Sequence, residues 1–252
     1  MYGGCRTLCY SAQLRQVLGQ LSVLEVYDAI DTTMDATPPR LPAAVAALTQ
    51  RRGRGRTGAW HSPRGGAWIT VFLNAPPDPR LPTAVGGYLA GLLEEFLCGA
   101  VHLTVKWPND VYAGGRKLAG ILVEHRAGML RVGVGVNVYN EPPPGATSLA
   151  QLGYGGPLAL VYAAIIEAVM RAAEDPAGGV AEAAARDMLW GCRVAIESPE
   201  GLVEGVARGI TSSGALLVET GEGTVELACC HVKAWSCSNT RPATKSSPAG
   251  GD

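Results

Sequence analysis

The stretch that decides the fold is residues 106–124, which read KWPNDVYAGGRKLAGILVE. The apolar segments on either side of its centre, residues 101–108 and 117–126, are typical of β-strands. The Asn-Asp and Gly-Gly pairs between them are typical of turns. The chain has only four lysines, and two of them, Lys106 and Lys117, lie in this stretch. Arginine carries most of the positive charge elsewhere, so these two lysines mark the stretch as a candidate for chemistry.

The remaining pattern predicts an α+β fold, with a mixed, largely antiparallel sheet and helices packed on it. Further strands are predicted at residues 21–30, 69–76 and 129–140, and helices at 81–99, 157–175 and 179–190. After Gly191 the sequence changes to short strands separated by Gly/Ser turns, which predicts a small β-barrel. We therefore divide the chain into a main domain (1–190), a C-terminal barrel (191–236) and a tail (237–252) whose composition predicts disorder.

Composition excludes several classes of protein. The 252 residues are 47% hydrophobic and 17% charged with a net charge of −1, which is typical of a globular chain and not of a polycation that binds nucleic acid or membranes. No apolar run is long enough to span a membrane, and the N-terminus does not resemble a signal peptide. We therefore expect a cytoplasmic protein with no membrane partner.

The seven cysteines and four histidines show no metal-binding or redox spacing. We interpret the cysteines mostly as small buried apolar residues in a reducing cytosol, and a Cys5–Cys9 disulfide remains an alternative. The scattered histidines suggest no catalytic triad.

Residues 50–68 form a Gly- and Arg-rich segment without hydrophobic periodicity, which predicts a loop. Four arginines fall in the six residues RRGRGR (51–56). Glycines let backbone N–H groups approach an anion, and guanidinium groups bind phosphate or carboxylate in a bidentate manner. The alternatives are a solvated loop or a nucleic-acid patch.

Three other features also have two readings each. Lys117 is either an ordinary strand-edge lysine or a cation placed against developing negative charge. Gly133 and Gly135 either leave room for a ligand or only relieve crowding in the sheet. Trp60 either covers a bound ring or anchors its loop in the core.

Together, the segments GRGRTGAW (53–60), KWPND (106–110), KLAGILVE (117–124) and GVGVN (133–137) resemble the catalytic domain of the biotin–protein ligases. The order and spacing are similar over about residues 22–235, including the terminal segment 205–219. The resemblance implies a fold like that of class II aminoacyl-tRNA synthetases with an SH3-like C-terminal barrel. It also implies a two-step reaction: MgATP and biotin give biotinyl-5′-AMP, and the biotinyl group is then transferred to a lysine of a biotin carboxyl carrier protein.

The resemblance also implies roles for individual residues, with Lys117 and Arg54 as the catalytic pair. The implied biotin-binding residues are Thr32, Thr33, Gln50, Gly53, Arg54, Arg56, Lys117, Gly120, Gly133 and Gly135. The implied ATP- and adenylate-binding residues are Arg54, Gly55, Arg56, Trp60, Lys106, Asn109, Asp110, Lys117 and Asn137. No protein ligand is assigned to the metal, because Mg²⁺ is expected to arrive with ATP.

One position departs from the family pattern. The family usually has Ser-Thr-Asn in its first biotin loop, whereas this chain has Thr32, Thr33 and Met34. The two threonines keep the hydroxyl groups, but Met34 cannot hydrogen-bond as asparagine does.

Only about 20 residues precede the first predicted strand. We therefore expect the monofunctional type of ligase, without the DNA-binding domain of some members and with no DNA partner. A homodimer is a further expectation from the family.

Two other functions remain as alternatives. The first is a lipoate or octanoate ligase, which shares the ancestral fold and also forms an acyl-adenylate. The second is a nucleic-acid-binding module that uses the RRGRGR segment, against which the net charge of −1 argues.

Overall fold

The computed structural model of the protein describes residues 15–237. The predicted Cys5–Cys9 alternative and the predicted tail, apart from Cys237, lie outside the described residues.

The main domain is built on a seven-stranded sheet. Its strands are β1 (Val23–Tyr27), β2 (Ala43–Ala47), β3 (Ala67–Leu73), β4 (Leu103–Lys106), β5 (Asp110–Ala113), β6 (Arg116–Arg126) and β7 (Met129–Val136). Their order in the sheet is β1-β2-β3-β7-β6-β5-β4. Only β1 and β2 pair in parallel, and the other neighbours are antiparallel, which confirms the predicted mixed, largely antiparallel sheet.

The segment predicted as a turn region between two strands contains a strand of its own. Asp110–Ala113 forms β5, which pairs with β4 on one side and β6 on the other. The true turns are the tight ones at residues 107–109 and at Gly114-Gly115, where both glycines have positive φ angles. A strand of four residues between two turns is too short to show a periodic pattern, so the sequence alone did not reveal it.

The three longest helices within the described residues are α1 (Leu81–Phe96), α2 (Leu158–Glu174) and α3 (Pro176–Ala185). The prediction of a helix over 179–190 was wrong at both ends. Asp175 caps α3 by accepting a hydrogen bond from Gly178 N at 2.9 Å, so the helix begins earlier. After its end, Met188 N donates to Val105 O at 2.9 Å, so that segment runs along β4 instead.

The helices cover one face of the sheet, and period-2 alternation assigns side chains to the two faces. Val132 and Val136 of β7 are fully buried in the large core that includes Leu89 of α1 and Ile165 of α2. The intervening residues of β7 point to the opposite face, where none of the three helices α1–α3 packs. That uncovered face carries the candidate site.

Five further strands form the C-terminal domain: β8 (Arg193–Ser198), β9 (Gly201–Ile210), β10 (Leu216–Thr220), β11 (Gly223–Leu227) and β12 (His231–Ser236). Their order is β11-β10-β9-β8-β12, and each neighbouring pair is antiparallel. The prediction was a small, SH3-like β-barrel, and in the structure its edge strands β11 and β12 do not pair with each other within the described residues. The small domain is an open, five-stranded sheet around its own core.

The boundary between the domains at residue 190 stays a prediction, but a main-domain residue enters the second core. Trp107 packs with Leu216 and Val218 and is 1% exposed. Its Nε1 donates to Gly214 O at 2.9 Å. The KWPND segment is therefore anchored in the C-terminal domain.

The cysteine interpretation needs correction. Cys192 and Cys237 form a disulfide that joins the start of β8 to the end of β12. Cys98 and Cys229 are exposed, and only Cys230 is a buried thiol among the described residues. Spacing could not identify this bond, because the two partners are 45 residues apart and meet only when β8 and β12 pair. No helix in the described range is both long and apolar enough to cross a membrane.

Candidate active site

A cleft opens on the uncovered face of the sheet, between the Arg-rich loop, β6, β7 and the start of β12. Most sequence-predicted site residues line it: Thr32, Thr33, Gln50, Arg54, Gly55, Arg56, Trp60, Lys106, Asn109, Asp110, Lys117, Gly120, Gly133 and Gly135. Segments far apart in the chain thus supply one site.

Two predicted residues do not line the cleft. A Cβ on Gly53 would lie 2.6 Å from Ser62 Oγ, so this glycine allows the loop to pack closely on itself. Asn137 is 3% exposed, and its Oδ1 accepts a hydrogen bond from Asn140 Nδ2 at 3.0 Å. Both residues support the loops that border the cleft.

A polar network closes one end of the cleft. Gln50 Oε1 accepts from Thr33 N at 2.8 Å and from Thr33 Oγ1 at 3.2 Å, and Gln50 Nε2 donates to Ser62 Oγ at 2.9 Å. Thr33 Oγ1 also lies 2.8 Å from Oγ1 of the fully buried Thr70 on β3. Hydroxyl and amide groups are thus held in fixed positions where a polar ring could bind.

The floor of the cleft is made of glycines, and two side chains lie directly on it. A Cβ on Gly133 would stand 2.5 Å from Met34 Sδ, and one on Gly120 would stand 2.8 Å from Cζ3 of Trp60. Gly135 meets the same indole. The space that the glycines leave is therefore filled here by Met34 and Trp60. The indole Nε1 of Trp60 is buried and has no hydrogen-bond partner among the described residues.

Lys117 lines the cleft. Its Nζ is 2.7 Å from Asp110 Oδ1 and 4.9 Å from the centroid of the Trp60 ring. Its backbone is held on the outer side, where Thr147 N donates to Lys117 O at 2.9 Å. Since the main chain and the ion pair both fix the residue, the ammonium is preorganised inside the cleft.

Lys106 is the second cleft lysine, and it is 8% exposed. Its Nζ is 4.3 Å from the centroid of the Trp235 ring in β12, so it faces the C-terminal domain. Burial lowers the pKa of Lys106; the Asp110 carboxylate raises it, and the positive charges of Lys117 and Arg56 lower it further, with a net shift below the ordinary value. Lys106 therefore loses its proton more readily than an exposed lysine.

The four arginines of the Arg-rich loop form two pairs whose side chains point in different directions. The side chains of Arg51 and Arg52 point outward, and their guanidinium groups lie 3.7 and 3.9 Å from the Asp31 carboxylate oxygens. Arg56 points inward and donates to Asn109 Oδ1 at 3.0 Å and to Cys230 O at 2.7 Å. The last contact ties the loop to the C-terminal domain.

Arg54 points inward as well, and its contacts were missed in the sequence analysis. Its Nη2 lies 3.2 Å from Asp35 Oδ1 and 3.3 Å from Glu124 Oε2, and Arg126 Nη2 lies 2.7 Å from the same Asp35 oxygen. Burial raises the pKa of Asp35, but the hydrogen bond from Arg126 and the positive charges of Arg54 and Arg126 outweigh this and hold it below its usual value. The only sequence signal was the position of Asp35 directly after the Thr32-Thr33-Met34 turn.

No group of three or more His, Cys, Asp or Glu side chains could hold a metal ion within residues 15–237. Asp110 is a cleft carboxylate close to Lys117, and a single carboxylate fits a Mg²⁺ ion whose other ligands are phosphate oxygens and water.

Two protein-family models match the chain. Residues 28–138 match the "Biotin/lipoate A/B protein ligase family" and residues 191–228 match the "Biotin protein ligase C terminal domain". The first match covers the cleft loops and the floor, and the second covers most of the five-stranded sheet.

Curated relatives show the same similarity. The chain is 40% identical over 134 residues to a biotin–[acetyl-CoA-carboxylase] ligase of Mycobacterium tuberculosis, which covers 48% of this chain and 49% of the relative. It is 30% identical over 208 residues to the bifunctional ligase/repressor BirA of Bacillus subtilis, covering 71% and 62% respectively. The matched segments thus span about half to three-fifths of these relatives' lengths.

Among solved structures, a biotin protein ligase from Aquifex aeolicus in complex with biotin and ATP superposes with a TM-score of 0.76 at 26% identity. The match covers 84% of this chain and 99% of that one. The motifs, the two family matches and the shared fold agree, and the chain carries both matched domains of the biotin protein ligase family.

Proposed function

We propose that this protein is a biotin–protein ligase that activates biotin with MgATP and transfers it to a lysine of a biotin carboxyl carrier protein. The observation that carries the proposal is the convergence of Lys117, Arg54 and Arg56 on one cleft with a polar closed end and a glycine floor. Fixed cations beside a pocket for a polar ring are what carboxylate activation by a nucleotide requires.

In the first step, a carboxylate oxygen of biotin attacks the α-phosphorus of ATP. The bond from carboxylate oxygen to phosphorus forms as the bond to the pyrophosphate oxygen breaks, and pyrophosphate leaves with the bonding electrons. Negative charge builds on the oxygens around the α-phosphorus. We assign Lys117 to stabilise it, because Asp110, 2.7 Å from Nζ, holds the ammonium group in place inside the cleft.

Arg54 and Arg56 would bind the carboxylate and phosphate oxygens from the loop side, since a guanidinium group matches the geometry of both anions. Lys106, Asn109 and Asp110 would border the nucleotide, with Asp110 as the carboxylate nearest to the Mg²⁺ that ATP brings. When bound, that ion would supply positive charge to neutralise the phosphate oxygens. Thr32, Thr33 and Gln50 would orient the biotin ring at the polar end.

In the second step, the neutral amine of the acceptor lysine attacks the carbonyl carbon of biotinyl-5′-AMP. An amide bond forms, AMP leaves with the electrons of the broken C–O bond, and the amine loses a proton. Until then the anhydride must be kept from water. The contact from Arg56 to Cys230 O closes the loop against the C-terminal domain and supports this role.

The direction of the inner arginines favours this function over nucleic-acid binding. Arg54 and Arg56 are engaged with carboxylates, an amide oxygen and a carbonyl group of the protein itself. Only Arg51 and Arg52 of the RRGRGR segment remain outward, with side chains 65% and 82% exposed. Two exposed arginines supply little positive charge for the binding of a polyanion such as a nucleic acid.

The proposal includes a cytoplasmic location, a homodimer as the oligomeric state and no DNA partner. The Cys192–Cys237 disulfide is the feature that weighs against a reducing compartment, because disulfides are rare there. Thiol labelling of the protein in intact cells would measure whether Cys192 and Cys237 are bonded in place. Sedimentation equilibrium would measure the oligomeric state.

The test of the function is pyrophosphate release from MgATP with biotin, lipoate, octanoate or no acid. We expect release with biotin only, and retention of a protein-bound adenylate until a carrier domain is added. Release with lipoate or octanoate would overturn the assignment and place the chain with the sister ligases. Release with none of the acids would show that adenylation is absent.

A further inference from the structure

Four charged side chains form an alternating row at the rim of the cleft. Arg126 contacts Asp35 at 2.7 Å, Asp35 contacts Arg54 at 3.2 Å, and Arg54 contacts Glu124 at 3.3 Å. The row joins three segments: the turn after β1, the Arg-rich loop and the end of β6. Two positive and two negative charges leave it neutral.

Both terminal nitrogens of Arg54 are engaged in this row. Nη1 donates to Asp35 Oδ2 at 3.3 Å, while Nη2 lies close to Asp35 Oδ1 and Glu124 Oε2. A guanidinium group binds a ligand carboxylate or phosphate through the same pair of nitrogens. An anionic ligand must therefore displace Asp35 from the Arg54 guanidinium group, share that group with Asp35, or bind without contacting Arg54.

Asp35 is held in position independently of Arg54. The buried Arg131 of β7, 1% exposed, donates from Nη1 to Met34 O at 2.6 Å and to Ala36 O at 3.3 Å, which fixes the main chain on both sides of Asp35. Arg126 Nη2 also donates to Asp35 Oδ1, at 2.7 Å. When Arg54 turns away, Asp35 still has a cationic partner.

We propose that Asp35 is an internal competitor for Arg54, and that Arg126 is a positioning residue that retains Asp35 when Arg54 binds the anionic group of the substrate. The proposal rests on the proposed function, in which Arg54 binds the carboxylate of the acid. The contact with Arg126 weakens the attraction between Asp35 and Arg54. The attraction that remains lowers the affinity of Arg54 for the substrate anion.

The competition acts on charge, so it distinguishes a charged ligand from a neutral one of nearly the same shape. Asp35→Asn removes the competing charge, and Arg126→Gln leaves Asp35 with Arg54 as its only cationic partner in the row. The two variants should therefore change the binding of an anionic acid in opposite directions. A loss of local structure would instead weaken the binding of the acid and of its neutral analogue to the same extent.

The experiment is calorimetric titration of the full chain with biotin and with the primary alcohol that replaces its carboxylate. For Asp35→Asn we expect a Kd for biotin lowered about two- to five-fold, the range that partly exposed ion pairs allow, and an unchanged Kd for the alcohol. For Arg126→Gln we expect a Kd for biotin raised by a similar factor. In the double variant, the effect of Arg126→Gln should disappear.

Asp28→Asn is the matched control, because Asp28 also pairs with an arginine, Arg64 at 3.0 Å, and the change in net charge is the same. It should leave both affinities unchanged. Asp35→Glu, which restores the charge, should return biotin affinity toward that of the wild type.

Equal changes for biotin and the alcohol, or an effect of Arg126→Gln that persists without Asp35, would overturn the proposal while the ligase function stood. A wild-type protein that neither binds biotin nor releases pyrophosphate would overturn the proposed function, and this assignment with it.

Discussion

The two faces of strand β7 serve different purposes. On one face Val132 and Val136 are fully buried beneath the helices, while on the other Gly133 and Gly135 form the floor of the cleft. The same alternation continues across the sheet, because Thr70 of β3 pairs with Gly133 and Gly120 of β6 pairs with Gly135. One strand thus provides stability through its large residues and space through its small ones, because successive side chains point to opposite faces.

The strongest test of this division is Lys117→Ala on the cleft face. Loss of a fixed cation at developing charge should lower biotin-dependent pyrophosphate release by roughly 10²–10³-fold. The free energy of unfolding should change little, since Lys117 is 30% exposed and outside both cores. Steady-state kinetics and urea denaturation would measure the two effects.

Lys233→Ala is the control for that variant, because Lys233 also forms an ion pair, 3.0 Å from Glu197, but lies on the C-terminal sheet. It should retain activity. Pyrophosphate release by Lys117→Ala at the wild-type rate would contradict the role of Lys117.

Val132→Ala tests the opposite face. Removing two buried methyl groups should lower the free energy of unfolding by about 1–3 kcal/mol, from lost apolar burial and the cavity left behind. The Kd for biotin should stay close to the wild-type value, as measured by calorimetry well below the unfolding temperature. An affinity loss larger than the stability loss would mean that the two faces are coupled.

Gly135→Ala adds one methyl group to the cleft face. The new Cβ would collide with the Trp60 indole, so Trp60 must shift into the space of the cleft. Biotin affinity should fall about ten-fold, the effect of one misplaced methylene in a shaped pocket. Gly221→Ala, where a Cβ meets nothing within 4 Å, should change neither affinity nor stability. Unchanged biotin binding in Gly135→Ala would mean that the glycine floor is not part of the biotin-binding site.

The smallest effect concerns pH and Lys106, which borders the cleft beside the C-terminal domain. Its pKa is lowered chiefly by burial, so its charge is lost at a lower pH than the 10.5 of an ordinary lysine. If the charged form of Lys106 binds the nucleotide, kcat/KM for ATP should decrease as the pH is raised. This decrease should occur at a pH below 10.5. Stability should rise with pH in the same window, because the unfolded chain then binds more protons than the folded one.

Lys106→Arg keeps its charge throughout this range and should move this decrease to higher pH. If kcat/KM for ATP decreases at the same pH in the variant, the decrease is caused by the titration of another group.

Much of the fold was predictable because it follows from local patterns. The alternating strands and the long apolar helices gave the mixed sheet and its packed layer, and most residues of the resembling motifs lie in one cleft. Strand β5 was missed because four residues carry no period, and the start of α3 because its cap, Asp175, was assigned to the preceding helix. The open edge of the C-terminal sheet depends on which strands pair, and no single segment encodes that.

The site shows the same limit. Arg54 and Arg56 were predicted to face a ligand, but their present partners Asp35, Glu124 and Cys230 were not. Arg56 and Cys230 are 174 positions apart, and Arg54 and Glu124 are 70 apart. The anchoring of Trp107 in the second core at Gly214 has the same character.

The sequence by itself determined which residue types the cleft would contain and, for the longer strands, which residues share a face. That information is local, because a pleated strand alternates its side chains whatever lies beside it. Only the tertiary structure decided that Trp60 and Met34 would lie on the glycines, that Asp35 would hold Arg54, and that β12 would border the cleft. Those contacts join segments far apart in the chain, and their geometry exists only after the sheet and the two cores have formed.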